Sequence, residues 1–218
     1  MEHAWRIEER EYERQEQRRG RRHAFTALDA ARTALVVVDV VPFFFEDNPY
    51  LPAIVPRVNQ LAGALRARGG SVAWVVPGRT PSSPAYDEFF GPGVADTYRR
   101  AGGTGPIKDR LWPDLDTQPG DTYVDKTASS AFFPGRCDLD RWLQLDGVET
   151  VLVTGTVTNV CVEATVRDAS TLGYRVILVA DAAAATTDAV HNATLHTVYR
   201  AYGDVRPTSE VLELIARG

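Results

Sequence analysis

The sequence predicts an α/β domain built on a mostly parallel sheet of about six strands. Three observations predict it. Short apolar runs recur without the polar alternation of a half-exposed strand. Stretches with helical spacing separate those runs. Polar residues close several of them, as at the carboxyl edge of an open parallel sheet.

The elements follow in order. Residues 1–22 are charged, with Arg and Glu interleaved from Glu8 to Arg22. They read as a solvated helix or a frayed arm, which Trp5 and Ile7 pin to the body or to another subunit. The single α/β domain is expected over residues 23–218. Ala34–Val38 is a buried strand that ends at Asp39. Ile54–Ala67 has helical spacing, and Gly69-Gly70 stops it. Val72–Val76 is a second buried strand, and Thr122–Val124 a short third. Between them, Pro77–Pro119 is rich in Pro and Gly, and a connection this long is expected to be a functional loop or lid. Leu139–Leu145 reads as a helix and Val151–Val153 as a fourth strand. Val162, Val166 and Ala169 share a helical face after Thr158, and Gly173 ends that helix. Val176–Ala180 is a fifth strand, Ala189–Tyr202 a helix, Val205 the mark of a sixth strand, and Glu210–Ala216 the last helix.

Composition narrows the function. The 218 residues suit one domain with a real core, and 44% are apolar. A net charge of −5 gives no general attraction to nucleic acid or to an anionic membrane. No apolar stretch approaches the roughly 18 residues of a membrane span, and the charged start does not read as a signal peptide. Cys137 and Cys161 are the two cysteines, too few for a disulfide scaffold, so free thiols in a reducing cytoplasm are expected. Lysine is scarce: Lys108 and Lys126 stand within a total of 24 basic residues. A lysine kept in an arginine-rich chain points to a need for a compact ammonium.

Three polar residues fall at strand ends: Asp39 after the first strand, Lys126 after the third, and Cys161 in the first turn of the helix after the fourth. Their chemistry is coherent. A thiolate is the nucleophile, and a helix N-terminus and a nearby ammonium both favour it. Asp39 can accept the thiol proton and later return it to a leaving amine, and Lys126 can orient Asp39 and hold it ionised. Backbone N–H groups at the start of the Cys161 helix face a tetrahedral oxyanion.

The stretch Gly155-Thr156-Val157-Thr158-Asn159-Val160-Cys161-Val162-Glu163-Ala164-Thr165-Val166-Arg167-Asp168-Ala169 resembles the nucleophile segment of the isochorismatase-like cysteine hydrolases. Val37-Val38-Asp39 is similar to that family's catalytic Asp strand, and Asp125-Lys126-Thr127-Ala128-Ser129-Ser130-Ala131-Phe132 to its Lys segment. The resemblance runs from about Thr33 to the C-terminus. It implies a three-layer αβα sandwich, a triad of Asp39, Lys126 and Cys161, and an oxyanion hole from the backbone of Val157 and Cys161. It also implies a cis peptide bond at Thr156–Val157. The family commonly has Gln or Asn shortly after the catalytic Asp, where this chain runs Val40-Val41-Pro42-Phe43-Phe44-Phe45. Nicotinamidases of the family bind a metal through His and Asp; here no His lies between His23 and His191, so neither metal nor cofactor is expected. His191 and His196 read as surface or packing residues, and Cys137 as a partly buried thiol near a helix start.

The wording around Cys161 resembles members acting on ureido and N-carbamoyl compounds. The expected activity is therefore cleavage of a C–N bond in a small linear amide, ureido or N-carbamoyl compound, through a thioester. Candidate substrate contacts are Phe43, Phe45 and Phe132 as pocket walls, Arg79 for a carboxylate, and Asn159 as a donor or helix cap. A homo-oligomer is expected from the family and from the charged arm. Competing readings are a catalytically silent binding or assembly protein on this fold, and a hydrolase of another small natural product. A thiol-redox protein fits less well, because there is no Cys-x-x-Cys pair.

Overall fold

A computed structural model describes residues 1–81 and 83–218. The N-terminal segment leads into α1 (Glu9–Arg19), followed by β1 (Thr33–Val38), α2 (Leu51–Arg66) and β2 (Ser71–Pro77). Then come α3 (Pro84–Phe90), α4 (Pro92–Arg100), β3 (Thr122–Lys126), α5 (Leu139–Leu145) and β4 (Thr150–Thr156). A π-helical turn (Thr158–Val162) opens into α6 (Glu163–Thr171), and β5 (Arg175–Ala184), α7 (Asp188–Ala201), β6 (Asp204–Arg206) and α8 (Thr208–Arg217) complete the chain. Among the described residues no helix is long and apolar enough to cross a membrane.

The strands form one parallel sheet in the order β3-β2-β1-β4-β5-β6. Every residue of β1 is buried, which is why its sequence shows no alternation. Its side chains nevertheless divide between two cores. Leu35 and Val37 pack with Trp74, α2 and α8, while Ala34, Val36 and Val38 pack with Leu139, Val166 and Val198 from α5, α6 and α7. Helices therefore cover both faces, as the three-layer expectation required. The buried Trp74 keeps its indole N–H satisfied by Asp121 at 2.7 Å, which spares the core an unpaired donor.

The order also fixes where a site belongs. Winding proceeds outward from β1 through β2 to β3, then restarts at β4 on the other side of β1. The carboxyl ends of β1 and β4 thus flank a topological switch point, where open α/β sheets bind ligands.

One segment differs from the sequence expectation, and another takes one of the two courses the sequence offered. The stretch Pro77–Pro119 is not a continuous loop: it carries α3, α4 and a short 3-10 turn at Ile107–Arg110, each α-helix opened by a Pro in its first turn. The charged N-terminal stretch docks on its own chain. Ile7 is buried, Trp5 and Tyr12 pack on the core beneath α7, and Tyr12 meets Tyr199 edge-on at 5.1 Å. Its first residues run further, to His3, which lies stacked between Tyr50 and His191.

Candidate active site

Asp39 leaves β1 at φ 58°, a left-handed conformation that Asp tolerates better than most side chains. Its N–H is held by the Val75 carbonyl at 2.8 Å. Paired in register with Val38, the residue before it, Gly155 of β4 has φ 109°, and a Cβ there would meet the Val38 carbonyl oxygen at 2.0 Å. Only glycine lets the two strands run this close where they release Asp39 and the Cys161 turn. The following peptide bond, Thr156–Val157, is cis.

Lys126, the last residue of β3, bridges the gap. Its Nζ lies 2.8 Å from Asp39 Oδ2 and 3.4 Å from Cys161 Sγ, and it donates to the Ala128 carbonyl at 3.2 Å. The structure thus brings together the three residues read from the sequence. Asp39 and Lys126 are buried, and Cys161 is half-buried. The ammonium approaches Asp39 as an ion pair without good hydrogen-bond alignment, and neither carboxylate oxygen has a well-aligned donor. The carboxylate is left able to take a proton.

Burial sets the charges here. It pushes the Asp39 carboxyl up, and Lys126 and Cys161 pull it part of the way back. Burial opposes the Lys126 ammonium too, but the neighbouring Asp39 and Cys161 outweigh it and hold Lys126 charged above its usual range. The Cys161 thiol is pushed up to about 12, first by burial and then by the Asp39 charge, against the pull of Lys126. The resting cluster therefore holds an ammonium at Lys126 and a neutral thiol at Cys161, and the ion pair with Lys126 favours the carboxylate form of Asp39 against its burial. Lys126 favours the thiolate, as expected from the sequence, but the two opposing effects are larger. Moving the thiol proton to Asp39 leaves the net charge of the cluster unchanged, so the transfer creates no second buried anion.

The Cys161 turn is tied on both sides. The Val157 carbonyl accepts from Val160 at 2.9 Å and from Val162 at 3.3 Å, the wider spacing of a π turn. The Thr165 hydroxyl donates to the Cys161 carbonyl at 2.7 Å and accepts from the Ala131 N–H at 3.1 Å, joining the loop after Lys126 to the nucleophile segment. The Thr158 hydroxyl meets His191 Nδ1 at 2.9 Å. His191 Nε2 faces the Ala180 carbonyl at 3.1 Å and therefore carries the hydrogen, so Thr158 is the donor. His191 is thus a packing residue, as its sequence context suggested, but one that anchors the start of this turn. Burial, reinforced by His3 stacked at 4.1 Å, lowers its pKa to about 3. His3 is fixed in turn by the Ala185 N–H at 3.0 Å and by Asp188 at 2.6 Å. Nothing in the local sequence signals this His3–His191–Thr158 chain, because its members are more than thirty residues apart.

The expected substrate contacts fare unevenly. Phe132 is 3% exposed and packs against Tyr174 in the core, so it walls no pocket. Phe45 is stacked on Trp112 at 3.6 Å and packs on the core beside α2. Phe43 meets Tyr98 of α4 edge-on at 6.2 Å, linking the loop after Asp39 to the segment above the sheet edge. Asn159 is exposed and caps nothing; Val157 stands at the cap position without a side-chain bond. Arg79 is exposed, two residues beyond β2. A residue not foreseen is Tyr86 of α3, whose phenol is raised by burial and, in smaller part, by the nearby Cys161. Cys137 is partly buried just before α5, its thiol pushed up to about 11 by burial. Among the described residues no cluster of His, Cys, Asp and Glu is arranged to hold a metal.

Known proteins share this fold and much of this sequence. The isochorismatase domain family model matches residues 33–210. An uncharacterised isochorismatase family protein of Bacillus subtilis, YwoC, is 31% identical, over 86% of this chain and 96% of its own. The ureidoacrylate amidohydrolase RutB of Methylobacterium radiotolerans is 32% identical, over 81% of this chain and 77% of its own. Among solved structures, a cysteine hydrolase from Pseudomonas syringae pv. phaseolicola superposes with a TM-score of 0.76 at 28% identity, covering 89% of this chain and 97% of that one. An N-carbamoylsarcosine amidase from Thermoplasma acidophilum gives 0.67 at 27% identity, covering 81% and 96%. A family match across most of the chain, on the same parallel sheet, makes this protein a member of the isochorismatase family of hydrolases.

Proposed function

We propose that the protein is a cysteine-dependent amidohydrolase that cleaves the C–N bond of a small linear amide, ureido or N-carbamoyl compound. One observation carries this reading: the Lys126 ammonium stands 2.8 Å from the Asp39 carboxylate and 3.4 Å from the Cys161 sulfur at the switch point of the sheet. The ureidoacrylate and carbamoylsarcosine relatives support the choice of bond.

The sulfur of Cys161 attacks the substrate carbonyl while its proton passes to Asp39. The oxyanion is received by the backbone N–H groups of Val157 and Cys161. Collapse breaks the C–N bond, and Asp39 hands its proton to the leaving nitrogen. Water then attacks the thioester, Asp39 takes a proton from it, and the acid departs as the thiol is restored. Lys126 keeps Asp39 anionic between steps and compensates whichever of the two partners carries the negative charge. The chemistry needs a free thiol, which fits a reducing compartment such as the cytoplasm.

The test is ammonia or amine release from a panel of linear amides, ureido acids and N-carbamoyl amino acids, with a covalent intermediate trapped on Cys161 by rapid acid quench and mass spectrometry. Turnover by the wild type and a mass shift confined to the Cys161 peptide are expected. Release of product without any adduct at Cys161 overturns the mechanism.

A further inference from the structure

Large aromatic side chains cluster over the carboxyl edge of the sheet without a core to account for them. Phe89 is 80% exposed and Phe133 50%, and Phe90, Val94 and Tyr98 are exposed nearby. They form a ladder: Phe89 meets Phe90 at 4.7 Å, Phe90 meets Tyr98 at 5.4 Å, and Tyr98 reaches Phe43 in the loop after Asp39. Apolar surface gathered in one place on a folded chain marks a binding function.

Phe89 and Phe133 line a groove of about 550 Å³ between the α3 segment and the loop after β3. Its walls are chiefly Pro81, Ala85, Tyr86, Phe89, Ala128 and Phe133, with Arg136 supplying charge. The groove adjoins the reacting groups. Ala128, on its wall, accepts the Lys126 Nζ hydrogen bond at 3.2 Å. The volume suits a ligand far larger than a bare ureido group, since pockets of about 300–1,000 Å³ hold drug-sized molecules. Arg136 is exposed and has no ion-pair partner among the described residues, so its guanidinium is available to a carboxylate.

On the reading that Cys161 attacks an amide-type carbonyl, we propose that this groove receives a large apolar substituent, aromatic or branched, and that Arg136 pairs with a carboxylate on the same molecule. The substrate class is then N-carbamoyl or N-acyl derivatives of amino acids with large apolar side chains, not the smallest ureido acids. Phe89 and Phe133 supply the apolar contact, and Arg136 the orientation.

The experiment separates the groove from the reaction. Alkylation of Cys161 is timed by peptide mass spectrometry with two reagents, N-iodoacetyl-L-phenylalanine and N-iodoacetylglycine. The thiol displaces iodide in both, so their rate ratio reads the groove without requiring hydrolysis. A ratio of at least about tenfold in favour of the phenylalanine reagent is expected, because burying one aromatic side chain is worth that much or more. Phe133→Ser should bring the ratio toward one, and Arg136→Gln, whose partner carboxylate both reagents carry, should slow labelling by both; both residues lie on the surface. Equal rates in the wild type overturn the proposal, as does a preference that survives Phe133→Ser, or labelling by both reagents that Arg136→Gln leaves at wild-type rates. In parallel, ammonia release is compared for N-carbamoyl-L-phenylalanine and N-carbamoylglycine. Turnover of the glycine compound with no labelling preference leaves the hydrolase reading standing and removes the groove. A labelling preference without hydrolysis of either compound keeps the groove and removes the amidohydrolase reading.

Discussion

Replacing Asp39 by Asn should separate nucleophile reactivity from turnover, in opposite directions. Lys126 Nζ is 2.8 Å from Asp39 Oδ2 and 3.4 Å from Cys161 Sγ, so oxygen and sulfur lie no more than about 6 Å apart. At an effective dielectric near 20, two like charges at about 6 Å repel by about 2.7 kcal/mol. That is about two pKa units, or about a hundredfold in thiolate population. Asp39 is among the groups that push the Cys161 thiol up to about 12, so its removal lowers that pKa and raises the thiolate fraction near neutral pH. Asp39→Asn should therefore speed iodoacetamide labelling of Cys161 by about a hundredfold, with its pH profile displaced downward. The same change deletes the group that carries the proton to the leaving nitrogen, so kcat should fall by at least about a hundredfold. Labelling rates come from intact-mass time courses from about pH 6.5 to pH 9, and turnover from product release. If labelling slows in step with turnover, the neutral-thiol picture is wrong and Asp39 is needed to form the thiolate at all.

The other predictions are briefer. Cys161→Ala should fold like the wild type and lose nearly all turnover, and full activity in it would remove the mechanism. In Lys126→Arg the planar guanidinium has no room in a site where Lys126 is 4% exposed, so kcat should drop at least about a hundredfold, and wild-type rates would show the residue to be misassigned. Lys126→Met should mirror Asp39→Asn: with the cation gone the Cys161 pKa rises further and labelling slows, and an unshifted pH profile would contradict the ion pairing. His191 stays neutral down to about pH 3 in the folded protein, whereas the unfolded imidazole takes up its proton near 6.5, so stability should fall as pH drops below about 6.5. His191→Gln should flatten that acid limb in thermal melts, and an unchanged slope would refute the assignment.

What the sequence revealed followed from local pattern. Buried parallel strands are uniformly apolar, so β1, β2 and β5 could be read as runs, and their polar terminators marked the edge where chemistry gathers. Asp39, Lys126 and Cys161 were legible for that reason, and the specific Cys161 segment strengthened them. The aromatic contacts were not, because an apolar side chain announces burial without saying against what. Phe132 went to the core and Phe133, its neighbour, to the surface. The helices α3 and α4 hid behind their own prolines, which break a helix in its interior but suit its first turn. The His3–His191 stack joins residues from opposite ends of the chain, and no spacing rule reaches that far.

The sheet order explains why these three residues meet when their strands do not all adjoin. β1 and β4 are neighbours and release Asp39 and the Cys161 turn side by side, held close by Gly155. β3 lies two strands from β1, with β2 between them, so a short side chain at its end falls short of the switch point. Neighbouring strands stand about 4.8 Å apart, which puts the end of β3 roughly 10 Å from the end of β1. A lysine's four-carbon stem covers much of that span and delivers its charge as a compact point that fits between a carboxylate and a sulfur. Aspartate and cysteine, with short stems, belong where the strands touch; the long residue belongs at the distant strand. The arrangement also explains why an arginine-rich chain keeps a lysine here: a guanidinium has the reach but not the size to sit 2.8 Å from Asp39 and 3.4 Å from Cys161 at once.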